Sequence, residues 1–224
     1  MEGLYCYGNR HQREEWTKKA AEVTALEAAI WLPSGDGLPA DAQLVFDFLL
    51  DETPERIAQY RERERFLVVG GGLLYSLAEL AAVAGPGIRS YLGGIAAWPG
   101  MLSRSLWEVS FLNEASQQAI TASFDNLGIT TGIVADRVGM ATPRLLSMII
   151  NEACFTVQEG TPSREDINRA MKLGVNYPGG PFEWLENFGA NRVVTLLEAM
   201  YEETRNGRYK ISPLLKREAL MVNV

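Results

Sequence analysis

Residues 159–203 read EGTPSREDINRAMKLGVNYPGGPFEWLENFGANRVVTLLEAMYEE, and the punctuation of that stretch decides how the second half of the chain is built. Ser163-Arg164-Glu165-Asp166 has the form of a capping box, with Asp where Glu or Gln is usual, and opens a helix to Lys172. Asn176-Tyr177-Pro178-Gly179-Gly180-Pro181 is a tight connection, and Phe182 to Phe188 forms a short helix. Arg192 to Arg205 is amphipathic, with Val193, Leu196, Leu197 and Met200 facing inward. Downstream, Pro213 to Met221 closes the pattern. Upstream, Thr142-Pro143 opens a long helix that Gly160 ends, and Leu146, Ile149, Ile150, Ala153 and Val157 recur along it at helical spacing. From Asp136 onward nothing alternates as a strand does, so residues 136–224 read as an all-α domain.

Toward the N-terminus the texture changes. Short apolar runs at Ala28–Leu32, Gln43–Leu49, Phe66–Val69, Tyr91–Ala97, Ser105–Phe111 and Ile129–Ala135 read as strands. Between them, Thr53-Pro54 reads as the cap and first residue of a helix whose charged stretch Glu55–Arg65 faces solvent. Ser76–Val83 is a helix stopped by Gly85-Pro86-Gly87, and Asn113 caps another through about Asn126. Strands alternating with helices imply an open, largely parallel α/β sheet of Rossmann-like type over residues 1–135. Residues 1–24 are polar and charged with Tyr5, Tyr7 and Trp16 interspersed; they read as a flexible arm, with a helix available only from Lys18 to Ala28. Six βα units of about 30 residues would need about 180 residues, so the α/β domain is shortened.

Composition narrows the chemistry. The chain has 224 residues, with 21 Lys and Arg against 28 Asp and Glu, a net charge of -7 that disfavours nucleic acid and anionic membranes as partners. Its one histidine, His11, and two cysteines, Cys6 and Cys154, exclude a metal site built on several His or a Cys/His cage. The distant cysteines form no CxxC and imply a reducing compartment. No basic segment with an apolar core opens the chain and no apolar run approaches 18 residues, so the expectation is a cytoplasmic protein.

The second half resembles the C-terminal helical domain of the 3-hydroxyacyl-CoA dehydrogenase family of fatty-acid metabolism. Glu165-Asp166-Ile167-Asn168, Ala170-Met171 and Gly180-Pro181-Phe182-Glu183 carry the likeness in order and at fixed spacing. Fainter echoes lie upstream. Gln43–Asp47 resembles the family's strand ending in an acidic residue, Ser76–Leu80 the helix after its Thr-Ser-Ser loop, Gly93–Pro99 its Gly-Met-His-Phe-Phe-Asn-Pro strand and Leu106–Val109 its Leu-Val-Glu-Val strand. The resemblance implies a homodimer built on the helical domain, with the Leu146, Ile149, Ile150, Ala153 and Val157 stripe as the apolar surface available for it, and a cleft that takes NAD and an acyl-CoA.

Residue by residue, the resemblance also implies a site emptied of its chemistry. The family's catalytic His position reads Ile95, while its carboxylate partner is kept as Glu108. The paired serines read Leu73 and Leu74, and the Asn reads Pro143. Removing a hydroxyl proton needs a base poised near neutrality, which isoleucine cannot be. No GxGxxG follows a first strand. Gly70-Gly71-Gly72, with Tyr75 where a third glycine of that motif would stand, is either a phosphate cradle or a tight strand-to-helix turn. Glu108 faces either the cleft or open solvent. Cys6 with His11 could be drawn as a nucleophilic pair, against which stands their polar surroundings; Cys154 reads as a buried, inert thiol. Glu14-Glu15 and Asp51-Glu52 read as solvated charge.

The expectation is therefore a dimeric, non-catalytic member of the family that binds an acyl-CoA-like ligand, without a cofactor or metal. Two alternatives stand beside it: an active NAD-dependent enzyme whose site is completed by other residues or by a partner, and an interaction module whose cleft is filled by Trp98 and Tyr75.

Overall fold

A computed structural model describes residues 3–160 and 162–221, and the chain divides into two compact units, residues 1–140 and 141–224. In the first, seven strands form one sheet: β1 (Leu4–Tyr7), β2 (Ile30–Trp31), β3 (Leu44–Asp47), β4 (Leu67–Val69), β5 (Tyr91–Ile95), β6 (Leu106–Phe111) and β7 (Thr130–Ile133). Their order is β2-β1-β3-β4-β5-β6-β7, and every pairing is parallel except β5 with β6. The open, largely parallel sheet expected from the sequence is present.

The N-terminus departs from expectation. Instead of a flexible arm, Leu4–Tyr7 is an interior strand, and Arg10–Ala20 is helix α1. Side chains alternate across β1: Leu4 and Cys6 join the core on one sheet face with Trp16, Phe46, Trp107 and Phe124, while Tyr5 and Tyr7 join the other with Val45, Ile57 and Tyr60. A four-residue strand shows only two residues per face, and here one face carries tyrosines. On α1 the buried residues include Gln12, Glu15 and Lys19, so the inward stripe is not apolar and its periodicity is hidden.

Seven strands fit into so few residues because each spans only 2 to 6 residues. The antiparallel return into β6 also needs no crossover helix. The segment after Thr53 is a 3₁₀ helix, Pro54–Tyr60, in which Thr53 makes no side-chain cap and Ile57 and Tyr60 are buried, against the solvated α-helix expected. Helices α2 (Leu77–Ala84) and α3 (Glu114–Leu127) follow the sequence reading, capped by Ser76 and Asn113. The chain runs from β1 out to β2 and back to β3 on the other side of β1, so the carboxyl ends of β1 and β3 flank a topological switch point.

The described residues of the second unit fold as α4 (Thr142–Gln158), α5 (Arg164–Val175), α6 (Pro181–Phe188), α7 (Ala190–Thr204) and α8 (Pro213–Met221), with a 3₁₀ turn at Gly207–Tyr209 and no strand. The spacing of the motif there has a mechanical cause. Asn168 Oδ1 accepts the Phe182 N–H at 3.0 Å, so α5 caps the start of α6. A Cβ on Gly180 would run into that Asn168 side chain, which makes glycine obligatory. Glu183 closes the turn by accepting Gly180 N–H at 2.9 Å and pairing with Lys172. The α4 stripe is divided between two faces: Ile150 is fully buried with Ser147, Asn151 and Cys154 in the unit's own core, while Leu146, Ile149 and Val157 are only partly covered. Ile150 is thus not available to a partner, contrary to the expectation from periodicity. No helix among the described residues is long and apolar enough to cross a membrane.

Candidate functional site: the carboxyl edge of the sheet

Three loops converge where β3, β4 and β5 end. The Gly70-Gly71-Gly72 turn after β4 is glycine-rich for reasons internal to the fold. A Cβ on Gly70 would collide with the Asp47 carbonyl, and Gly71 and Gly72 take φ of 68° and 95°, which side chains resist. The N–H groups that a phosphate would need are engaged. Asp51 Oδ1 accepts those of Leu73 at 3.1 Å and Leu74 at 2.8 Å. Asp136 accepts those of Leu77 at 2.8 Å and Ala78 at 3.2 Å, and Ser76 with Glu79 completes the start of α2 as a capping box. Two carboxylates therefore stand where the cradle reading places an anion, and the geometry is that of the tight turn. Burial pushes the Asp51 carboxyl up to about 6, opposed by the Leu74 and Leu73 amides and reinforced by Glu52. Asp51 is no solvated charge.

Glu108 and Ile95 are not brought face to face. Ile95 pairs with Val109 across β5 and β6, and its side chain lies in the core with Val109 and Trp107. Alternation turns Glu108, half-buried, to the opposite face, which it shares with Ser110 and Gly94. A Cβ on Gly94 would lie 2.5 Å from Ser110 Oγ, and that buried hydroxyl has no hydrogen-bond partner among the described residues. Neither Ile95 nor Gly94 offers an ionisable group. Leu73 is buried and Leu74 partly so. Pro143, in the other unit, occupies the first turn of α4, and the neighbouring Arg144 bonds Tyr209 Oη at 2.8 Å and Glu203 at 3.1 Å.

His11 and Cys6 form no pair. Cys6 is fully buried in β1 with its thiol pushed well up by burial, and Cys154 is likewise buried, its thiol raised to about 12. His11 Nε2 lies 2.8 Å from Glu15 Oε1 on α1. Glu15, only 4% exposed, also accepts the N–H groups of Gly100 and Leu102 and anchors the loop after β5. Asp47, at the end of β3, is fully buried and accepts from Tyr60 Oη at 2.7 Å, Arg56 Nε at 3.0 Å and Leu49 N at 3.1 Å. Burial raises its carboxyl, and Tyr60 and Arg56 hold it back. Sequence reasoning missed Glu15 and Asp51 as anchors; the i,i+4 spacing of His11 and Glu15 was the one available signal.

Comparison with known proteins agrees with this build. Residues 139–221 match the family model for the 3-hydroxyacyl-CoA dehydrogenase C-terminal domain. The 3-hydroxyadipyl-CoA dehydrogenase of Escherichia coli strain K12 is 43% identical over 94 residues, covering 42% of this chain and 20% of that protein. A probable 3-hydroxybutyryl-CoA dehydrogenase of Bacillus subtilis strain 168 is 30% identical over 105 residues, covering 47% of this chain and 37% of that protein. The chain thus spans well under half the length of these curated relatives. Among solved structures, FadB2 of M. tuberculosis superposes with a TM-score of 0.76 at 19% identity, over 100% of this chain and 94% of that one. The (S)-3-hydroxybutyryl-CoA dehydrogenase of Ralstonia eutropha gives 0.73 at 19% identity, over 98% and 93%. At that identity the likeness speaks for the fold alone. The likeness in sequence to the 3-hydroxyacyl-CoA dehydrogenase family is carried by the helical unit, whose residues 139–221 match that family's C-terminal domain.

Proposed function

We propose that this chain is a 3-hydroxyacyl-CoA dehydrogenase-like protein without dehydrogenase activity, which holds an acyl-CoA-type ligand as a homodimer. One observation carries the reading: where the family places its proton-accepting histidine, this strand offers Ile95 turned into the core and Gly94 beside Glu108's face, and neither carries a titratable group. Oxidising a 3-hydroxyl requires its proton to leave as the hydride does, and a carboxylate that orients a missing base does not replace it. His11, the sole imidazole, is bonded to Glu15 on α1.

The helical unit supports the dimer. No α5 residue is buried, and Leu173 and Val175 are 80% and 54% exposed. An open apolar groove of about 380 Å³ runs between α4 and α5, lined by Ile149, Ala153, Ile167, Ala170 and Met171.

The test is NADH formation from 3-hydroxyacyl-CoA esters of several chain lengths, beside thermal unfolding with CoA, acetoacetyl-CoA and a longer acyl-CoA. The reading expects no turnover and a rise of a few degrees with the esters; a ligand at about 100 times its Kd adds about 2.7 kcal/mol. Turnover would sink the non-catalytic half, and no shift with any ester the ligand half. The face shared by Glu108 and Ser110 favours one rival, an active NAD-dependent enzyme with a non-standard site, for which Glu108→Gln would abolish turnover.

A further inference from the structure

We infer that the first βα turn of this chain is closed to a dinucleotide by the chain's own side chains. In a dinucleotide-binding sheet the pyrophosphate lies over that turn, at the switch point, on free N–H groups of the following helix. Three glycines make room for it and an acidic residue ending the second strand reads the ribose. Here the turn is Tyr7-Gly8-Asn9-Arg10, with one glycine.

Two of its donors, the N–H groups of Asn9 and Gln12, are engaged. Asn9 Oδ1 accepts the Gln12 N–H at 3.0 Å and Gln12 Oε1 accepts the Asn9 N–H at 2.9 Å, a reciprocal cap that closes the start of α1 on itself. Gln12 is buried, and its Nε2 lies 3.5 Å from the Ala97 carbonyl, tying the cap to the loop after β5.

The room is gone as well. A Cβ built on Gly8 would lie 2.8 Å from Gln12 Oε1, 3.0 Å from the Trp31 ring and 3.1 Å from the Phe48 ring, so side chains from α1, β2 and the end of β3 meet over the glycine. Gly8 is needed by the protein's own packing, with nothing left over for a ligand. The second strand ends Trp31-Leu32-Pro33, an indole where a carboxylate would be needed, and that indole is held by Phe48 and Trp16, each with ring centroids at 6.1 Å, and by Arg13 at 5.9 Å. The other glycine turn, after β4, faces Asp51 and Asp136. NAD does not fit the residues present at either turn.

This inference does not rest on the acyl-CoA reading, and the two fail separately: dinucleotide binding at this turn without turnover overturns this one alone, and indifference to CoA esters overturns only the other. The experiment titrates the full chain with NADH and with ADP-ribose, following NADH emission and tryptophan quenching, with an intact dehydrogenase of the family as positive control. Gln12→Glu is carried in parallel, since glutamate keeps the cap on Asn9 while adding a negative charge to the turn; circular dichroism checks its fold. No saturation up to about 1 mM, a range weaker than about -4 kcal/mol of binding, supports closure. Saturable binding that Gln12→Glu leaves unchanged places the nucleotide elsewhere and also leaves the turn closed. Saturable binding that Gln12→Glu weakens tenfold or more overturns it.

Discussion

Asp51 shows how much one carboxylate can decide. Its oxygen holds the Leu73 and Leu74 amides, and burial lifts its pKa from 3.8 to about 6. A group raised in the folded state contributes stability that is complete below its unfolded pKa and is lost as pH climbs through the folded one. Stability should therefore decline between about pH 4 and pH 6 by on the order of 2–3 kcal/mol from this residue. Asp51→Asn keeps the acceptor without the charge, so urea midpoints measured from pH 4 to 7 should lose that slope; parallel curves for the two proteins would refute the assignment. Asp47, with Arg56 and Tyr60, is the opposite case of a buried charge with its partners in place. Asp47→Ala should cost about 3–5 kcal/mol because it strands the Arg56 guanidinium, and the double variant with Arg56→Ala should cost less than the two single losses together. Gly180 and Asn168 couple in the same way. Gly180→Ala should destabilise strongly, and Asn168→Ala alone by about 1 kcal/mol through the lost cap on α6. In the Asn168→Ala background the Cβ of residue 168 still stands 2.5 Å from the new methyl, so Gly180→Ala should stay costly there and only Asn168→Gly should soften it, as denaturant midpoints of these proteins will show.

At the scale of the element, the decisive pieces are β1 and α1. Trp16 on α1 is 2% exposed and touches the rings of Trp31, Phe46, Phe48 and Trp107. Trp16→Ala should remove about 3–5 kcal/mol from the α/β unit, whereas a flexible arm would lose nothing; the denaturant midpoint separates the two. The helices of the second unit were legible because Ser163, Gly180-Pro181 and Pro213 mark their starts and their apolar faces repeat, and the later strands because they are runs of branched and aromatic residues. β1 was not legible, because Leu4–Tyr7 is too short to show alternation and two of its residues are tyrosines with polar ends. α1 was hidden by its own chemistry. Gln12, Glu15 and Lys19 face inward to bond backbone and neighbours, and a hydropathy pattern scores such residues as solvent-facing.

For the molecule as a whole, the isoleucine at position 95 could be read from residue identity, but which residue shares Glu108's face could not. That depends on strand register, which pairs Ile95 with Val109 and leaves Gly94 opposite Ser110. The same limit applies to assembly, and two adjacent residues test it. Ile149→Glu places a charge in the open groove between α4 and α5 and should yield monomers by sedimentation at nearly unchanged stability. Ile150→Glu buries the charge in the unit's own core and should prevent folding outright. Monomers from the unmodified chain would remove the dimer altogether. Connections across long stretches of sequence also order events in time. The first amides of α2, Leu77 and Ala78, are closed by Asp136, 59 and 58 residues further along. A nascent chain that has delivered α2 to the ribosome exit cannot finish the start of that helix until β7 and the three residues beyond it have emerged. At about 5–20 residues per second, that leaves these two amides without their carboxylate for several seconds of every synthesis, while Asp51, already made, holds the turn beside them.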